Sequence, residues 1–167
     1  MAPRVFFITG SSTGFGYEYA KLILQNGDYV VATARDSSNL SFEKANSENS
    51  LLVDLDVTNR PSIQSAFDAA IKKFGRIDVV VNNAGFGLAG EFEALADEQI
   101  RKIMEVNFFG LLDVTRKAME IMREQGTGGV IQQISSIGGQ IGKLGPGANC
   151  FCPKANANFS SPKCLNV

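Results

Sequence analysis

Val5-Phe6-Phe7-Ile8 followed by Thr9-Gly10-Ser11-Ser12-Thr13-Gly14-Phe15-Gly16 is the stretch that decides the fold. Four consecutive apolar residues suit a strand buried on both faces. A Gly-x-x-x-Gly-x-Gly turn follows, then helical periodicity from about Gly14 to Asn26, closed by Gly27. Between a strand and a helix each glycine of such a turn has a task. One permits the tight turn, one lets a pyrophosphate approach the backbone, and one lets helix and strand pack closely. The helix N-terminus adds free N–H groups and partial positive charge for phosphates. The plainer reading is an ordinary tight turn, and the flanking strand and helix favour nucleotide binding over it.

Outward from this unit, strand-length apolar runs alternate with helical segments. Tyr29 to Thr33 reads as a second strand. Asp36 to Ser50, with five serines and three asparagines, reads as a long polar connection with room for a short helical turn. Leu51-Leu52-Val53 is a third strand. Pro61 opens a helix whose apolar positions Ile63, Phe67, Ala70, Ile71 and Phe74 recur at helical spacing, with Gly75 as its stop. Ile77 to Val81 is a fourth strand. The longest helix runs from about Asp97 to Glu124 along a stripe of Ile100, Ile103, Met104, Phe108, Leu111 and Leu112, and Val130 to Ile134 is a fifth strand. The alternation predicts an α/β fold with a doubly wound parallel sheet covered on both faces.

After Ser136 the periodic pattern stops. Residues 138 to 147 carry five glycines, and residues 146 to 167 hold three of the five prolines, all three cysteines and four asparagines. The expected organisation is one dinucleotide-binding domain over residues 1–142 and an irregular tail over 143–167, with no internal repeat and no second domain.

Composition narrows the chemistry. The 167 residues are 44% hydrophobic and 20% charged, with a net charge of −1, which suits one globular domain and supplies no basic face for nucleic acid. No apolar run approaches the ~20 residues of a membrane span, and the N-terminus lacks a signal-peptide pattern, so a cytoplasmic setting is expected. Histidine is absent, which removes Ser-His-Asp hydrolysis and imidazole general bases. Cys150, Cys152 and Cys164 match neither a disulfide framework nor a zinc pattern, so no metal is expected.

At the end of the second strand the chain reads Thr33-Ala34-Arg35-Asp36. A guanidinium there can pair with a 2′-phosphate and stack on adenine, which favours NADP(H) over NAD(H). Two alternatives stay open: Asp36 as the ribose partner in a neighbouring register, and a solvated Arg-Asp pair with no ligand.

With these residues in hand the chain resembles the short-chain dehydrogenase/reductase family, which has an NAD(P)-binding Rossmann fold. The resemblance rests on four motifs in order over about residues 4 to 142: the glycine turn Thr9 to Gly16, Leu55-Asp56-Val57, Asn82-Asn83-Ala84-Gly85, and Val130 to Ser136. It implies a cofactor set of Thr9, Gly10, Ser12, Gly14, Phe15, Gly16, Arg35, Asp56, Val57, Asn83, Ala84 and Gly85. Within that set Asp56 would bond the adenine amino group, and the segment from Asn82 would line the cofactor while its first asparagine ties the strand ends together. It also implies Ser136 as the hydroxyl that polarises a substrate carbonyl. Asn107, a poor helix former in mid-helix, would be the residue whose backbone kink and carbonyl hold a water leading to the active-site lysine. The plainer reading of Asn107 is a buried polar residue satisfied by a neighbouring loop.

The family's reaction moves a hydride between nicotinamide and a carbonyl or secondary alcohol while a tyrosine handles the proton. A lysine one helical turn on lowers the phenol pKa from near ~10, giving Tyr-x-x-x-Lys. No such pair occurs here: the only tyrosines are Tyr17, Tyr19 and Tyr29. Four residues before Lys154 stands Cys150, and Phe151-Cys152 resembles the family's Tyr-Cys with one residue lost before the lysine; both registers lack the phenol. Loss of general acid catalysis alone costs roughly 10²–10⁴ in rate. The expected catalytic remnant is Ser136, Asn107 and Lys154, in a chain lacking the family's C-terminal strands, with strand five as an exposed edge for an oligomer or partner chain to cover. The expected function is an impaired NADP(H)-dependent oxidoreductase. The alternatives are a non-catalytic NADP(H)-binding module and a truncated isoform or fragment.

Overall fold

A computed structural model describes residues 2–90, 92–136, 150–151 and 165–166, with backbone alone considered at residues 89, 92, 150, 151, 165 and 166. Its strands are β1 (Val5–Ile8), β2 (Tyr29–Ala34), β3 (Ser50–Asp54), β4 (Val79–Asn82), β5 (Leu88–Ala89), β6 (Val130–Gln133), β7 (Cys150–Phe151) and β8 (Leu165–Asn166). The helices are α1 (Gly14–Gln25), α2 (Arg60–Phe74), α3 (Asp97–Met104) and α4 (Leu111–Glu124).

The main sheet has the order β3-β2-β1-β4-β6-β8. Its first five strands are parallel and helices flank them, which is a doubly wound Rossmann-type architecture. Because β2 and β4 lie on opposite sides of β1, the strand order reverses between β1 and β4, and a crevice opens there at the C-terminal strand ends. The turns after β1 and β4 meet in that crevice.

Side chains alternate across β1, so the strand serves two cores at once. Val5 and Phe7 join the cluster beneath α2 and α4, where Phe7 stacks on Phe67 with ring centroids 4.2 Å apart. Phe6 and Ile8 join the opposite cluster beneath α1, with Ala20, Ile23 and Leu24. This double burial explains why the strands read as continuous apolar runs. α2 begins where Asn59 Oδ1 accepts the Ser62 N–H at 3.1 Å, with proline in the first turn, and ends at Gly75.

Three sequence expectations need correction. The helix expected to run unbroken from Asp97 to Glu124 is two α-helices joined by a π-helical segment, Glu105–Gly110. The tail is not wholly without regular structure, since it supplies β7 and β8. The fifth strand, here β6, is not a bare edge: β8 lies antiparallel along it, pairing Leu165 with Ile131 and Asn166 with Val130. A two-residue antiparallel strand carries too little periodicity to be read from sequence. Among the described residues no helix is long and apolar enough to cross a membrane, and no cluster of His, Cys, Asp or Glu could hold a metal ion.

Candidate functional site

The crevice above β1 and β4 is a cavity of about 740 Å³. The glycine turn forms its floor. Gly10 has φ 71°, and a Cβ there would lie 2.8 Å from the Ala84 Cα; a Cβ on Gly16 would overlap the Gly10 carbonyl oxygen and Asn83 Nδ2. Gly14 differs: with φ 59°, it has nothing within 4 Å of the position a Cβ would take. The turn therefore packs tightly on its protein side and stays open toward the cavity, the division of labour that phosphate approach requires. Thr13 makes no side-chain cap bond, and the first turn of α1 holds no acidic residue, so its amides are left for an anion.

Thr9 and Asn83 lock the two turns together. The Thr9 hydroxyl accepts the N–H groups of Asn83 and Ala84 at 3.0 and 2.9 Å. Asn83 Nδ2 donates to the carbonyls of Thr9 and Gly10 at 3.1 and 2.9 Å. The expectation that the first asparagine of the motif ties the strand ends is thus corrected. Asn82 instead points at α4, where its Nδ2 donates to Thr115 Oγ1 at 2.9 Å. Residues 82 and 83 are neighbours in an extended chain and face opposite ways, which the motif alone does not reveal.

The structure brings ten of the twelve expected cofactor residues to the cavity wall: Gly10, Ser12, Gly14 and Phe15 from the glycine turn, Arg35 beyond β2, Asp56 and Val57 beyond β3, and Asn83, Ala84 and Gly85 beyond β4. Thr9 and Gly16 stand behind that wall and brace it. Asp36 turns away. Its Oδ1 accepts the Ser38 N–H at 3.0 Å and the Ser38 hydroxyl at 2.6 Å, and its Oδ2 accepts from Asn39 Nδ2 at 3.0 Å. Arg35, not Asp36, therefore lines the cavity. Asp56 accepts the hydroxyl and N–H of Thr58 at 2.7 and 2.9 Å. These bonds, the hydroxyl first, hold its carboxyl below the usual carboxylate range, and the Arg35 guanidinium adds to them.

The expected catalytic residues are not gathered in this way. Asn107 is 1% exposed, and its side chain is consumed by a loop: Oδ1 accepts the Phe86 N–H at 3.0 Å and Nδ2 donates to the Phe86 carbonyl at 2.7 Å. Asn107 lies within the π-helical segment Glu105–Gly110. Ser136 follows β6, is exposed, and is not among the residues lining the cavity. Lys154 lies outside the described residues, as does the side chain of Cys150. The three tyrosines are placed elsewhere: Tyr17 stacks on Phe42, Tyr29 stacks on Phe74, and the Tyr19 hydroxyl donates to Gln132 at 2.9 Å.

Sequence reading missed part of the wall, namely Phe86, Leu88, Gln99, Lys102 and Val106. The last three recur at helical spacing, and that stripe was the available signal. The register beyond β5 was not: Leu88 pairs with Phe151 across the antiparallel β5–β7 ladder, which sets the tail's backbone beside a residue of the wall.

A parallel sheet with a glycine-lined crevice at its strand-order reversal defines a dinucleotide-binding α/β protein in architecture. The chain belongs to the short-chain dehydrogenase family, whose model matches residues 4–148. An uncharacterized oxidoreductase of Schizosaccharomyces pombe is 44% identical over 132 residues, which are 79% of this chain and 44% of the relative. A solved short-chain dehydrogenase of Streptomyces avermitilis superposes with a TM-score of 0.79 at 35% identity, covering 87% of this chain and 53% of that one. A 3-ketoacyl-(acyl-carrier-protein) reductase of Brucella melitensis, solved in complex with NADH, superposes with a TM-score of 0.75 at 32% identity, over 81% of this chain and 58% of the other. The chain spans about half the length of the relatives it matches.

Proposed function

We propose that this chain is the cofactor-holding part of a short-chain dehydrogenase-type oxidoreductase, selective for NADP(H), whose dinucleotide-binding domain spans residues 1–142 and carries 143–167 as an appended tail. The observation behind this reading is the geometry around Arg35: it lines the cavity while the adjacent carboxylate of Asp36 is held by Ser38 and Asn39. An NAD(H) site wants an acidic residue on the ribose 2′-OH, whereas a free guanidinium suits a 2′-phosphate.

The cradle fits a dinucleotide on several counts. The α1 N-terminus and the open side of Gly14 suit the pyrophosphate, and Asp56, held anionic, suits an adenine amino group. When bound, nicotinamide supplies or takes the hydride exchanged with a carbonyl or secondary-alcohol carbon. What the chain's residues contribute is orientation: Thr9 and Asn83 hold the two strand-end turns in register, and Asn107 anchors the loop at Phe86 to the helix that forms the cavity's far wall. Ser136 would polarise the substrate oxygen, with Lys154 as the remnant of the proton-transfer pair.

Proton transfer is the weak step. A Tyr-x-x-x-Lys pair does not occur in these 167 residues, and none of the three tyrosines lines the cavity, Tyr19 packing behind the wall residue Phe15. Turnover is therefore slow, and a role as an NADP(H)-binding module is the second reading, supported by those same phenols. NADPH oxidation across a panel of ketones and aldehydes, run beside calorimetry, separates the two. Cofactor-dependent turnover above the uncatalysed rate supports the impaired enzyme; binding without turnover supports the module; neither one overturns both.

A further inference from the structure

The wall of the cavity formed by α3 has no counterpart in the motifs that mark the cofactor site. Gln99, Lys102 and Val106 face the cavity as one stripe, at i, i+3 and i+7 along a continuous helical path. α3 runs on through the π-helical segment into α4, and α4 packs on the sheet face opposite α1. A Cβ on Gly110 would meet Val57 Cγ2 at 2.8 Å, so this helical path is pressed against the turn beyond β3 and the stripe is fixed relative to Asp56 and Val57. Its placement is therefore built in.

Among the described residues, nothing gives Lys102 a structural occupation that would explain it. A lysine near a helix C-terminus ordinarily serves the helix dipole, but α3 has no free C-terminus because the chain stays helical into α4. A glutamate four residues earlier ordinarily pairs with a lysine, yet among the described residues Glu98 and Lys102 form no ion pair. The contrast with α4 is direct. There Arg116 pairs with Asp113 and Lys117 with Glu120, each at i,i+3. Among the described residues, the charged groups on the cavity wall are Arg35 and Lys102 against Asp56, whose carboxylate already accepts two bonds from Thr58. With the α1 N-terminus added, the cavity favours an anion from two sides.

We propose that Lys102 is a phosphate-binding residue of this cavity, drawing in and holding the phosphate charge of a nucleotide from the α3 wall while Arg35 holds it from the end of β2. The proposal rests on the nucleotide reading given above and adds a second, independent cation to it. Gln99, one turn away, provides the neutral polar contact on the same side, and Val106 the apolar one. An ammonium on a flexible stem suits this task, since it follows the charge without demanding a fixed fork geometry.

The test is a titration of the whole chain with NADPH, 2′,5′-ADP and 5′-AMP at low and high salt, for wild type, Lys102→Gln, Lys102→Glu, Lys102→Arg and Arg101→Ala. The last is a control, since Arg101 is exposed and lies outside the cavity wall. At low salt Lys102→Gln is expected to weaken all three ligands about three- to fivefold and Lys102→Glu about tenfold, with the differences shrinking at high salt. Lys102→Arg should bind within about twofold of wild type, as should Arg101→Ala, and melting temperatures should not change. Wild-type binding with Lys102→Gln and Lys102→Glu unchanged in affinity and salt dependence overturns the role of Lys102 alone. A wild-type chain that binds none of the ligands overturns the nucleotide reading and this role with it.

Discussion

The two halves of the crevice are built differently. On the side of β1, β2 and β3, backbone and side chains converge: the glycine turn, Arg35 and Asp56 face one space, and Thr9 and Asn83 bolt the turns together with four hydrogen bonds. On the side of β6 the expected catalytic groups disperse. Asn107 is spent on the Phe86 backbone, and Ser136 lies off the cavity wall. The difference teaches that a phosphate cradle is a local device, complete within two turns and a helix end. A proton-transfer site needs groups from several distant segments.

The most severe way to break the first half is Gly16→Val. The added side chain overlaps the Gly10 carbonyl and the Asn83 amide, both fixed parts of the turn, so relief requires the turn to move. Saturable nucleotide binding should disappear in calorimetry, with destabilisation of roughly 1–3 kcal/mol in denaturant unfolding. Retained binding would show that the turn is not the cradle. Next in size is Arg35→Ala, which should cut the preference for NADPH over NADH by about tenfold or more, the weight of a charge-assisted hydrogen bond. An unchanged ratio would return the choice of cofactor to other residues.

In the second half, Asn107→Ala strands the N–H and carbonyl of Phe86. Stability should fall by about 1–3 kcal/mol, measured as a lower denaturant midpoint with an unchanged slope. Normal stability would mean that the loop is held by other contacts. The smallest effect concerns Asp56. Its folded pKa is lowered, so its contribution to stability is fully present above the unfolded value near ~3.9 and is lost only as pH falls through the lower folded value. Carboxyl NMR should find the Asp56 midpoint below ~3.9, rising toward it in Thr58→Ala, with the contribution of Asp56 to stability constant between about pH 5 and 8. A midpoint that ignores Thr58 would contradict the hydroxyl's assigned role.

The same contrast explains what was legible in the sequence. Val5 to Gly16 could be read because burial on both faces writes an unbroken apolar run and because glycines mark their own turn. Arg35 followed as the residue just past a strand end, and Asp56 from the family resemblance of Leu55-Asp56-Val57. Three things were hidden. Asn82 and Asn83 exchange roles because an extended chain sends neighbours to opposite faces. The π-helical segment left the apolar stripe of the long helix unbroken, so periodicity gave no warning of it. Strands β7 and β8 exist only through pairing with distant residues, Leu88–Ala89 and Val130–Ile131, and two-residue strands carry no period of their own. Lys102 was visible only as part of a helix face whose orientation tertiary packing decides.

Calorimetric titration of the 167-residue chain with NADPH and with NADH tests the central claim that the phosphate half of this site is complete in itself. Saturable binding of NADPH, tighter than that of NADH, is the expected result, whether or not any carbonyl compound is turned over. Heats that never saturate with either nucleotide would contradict it.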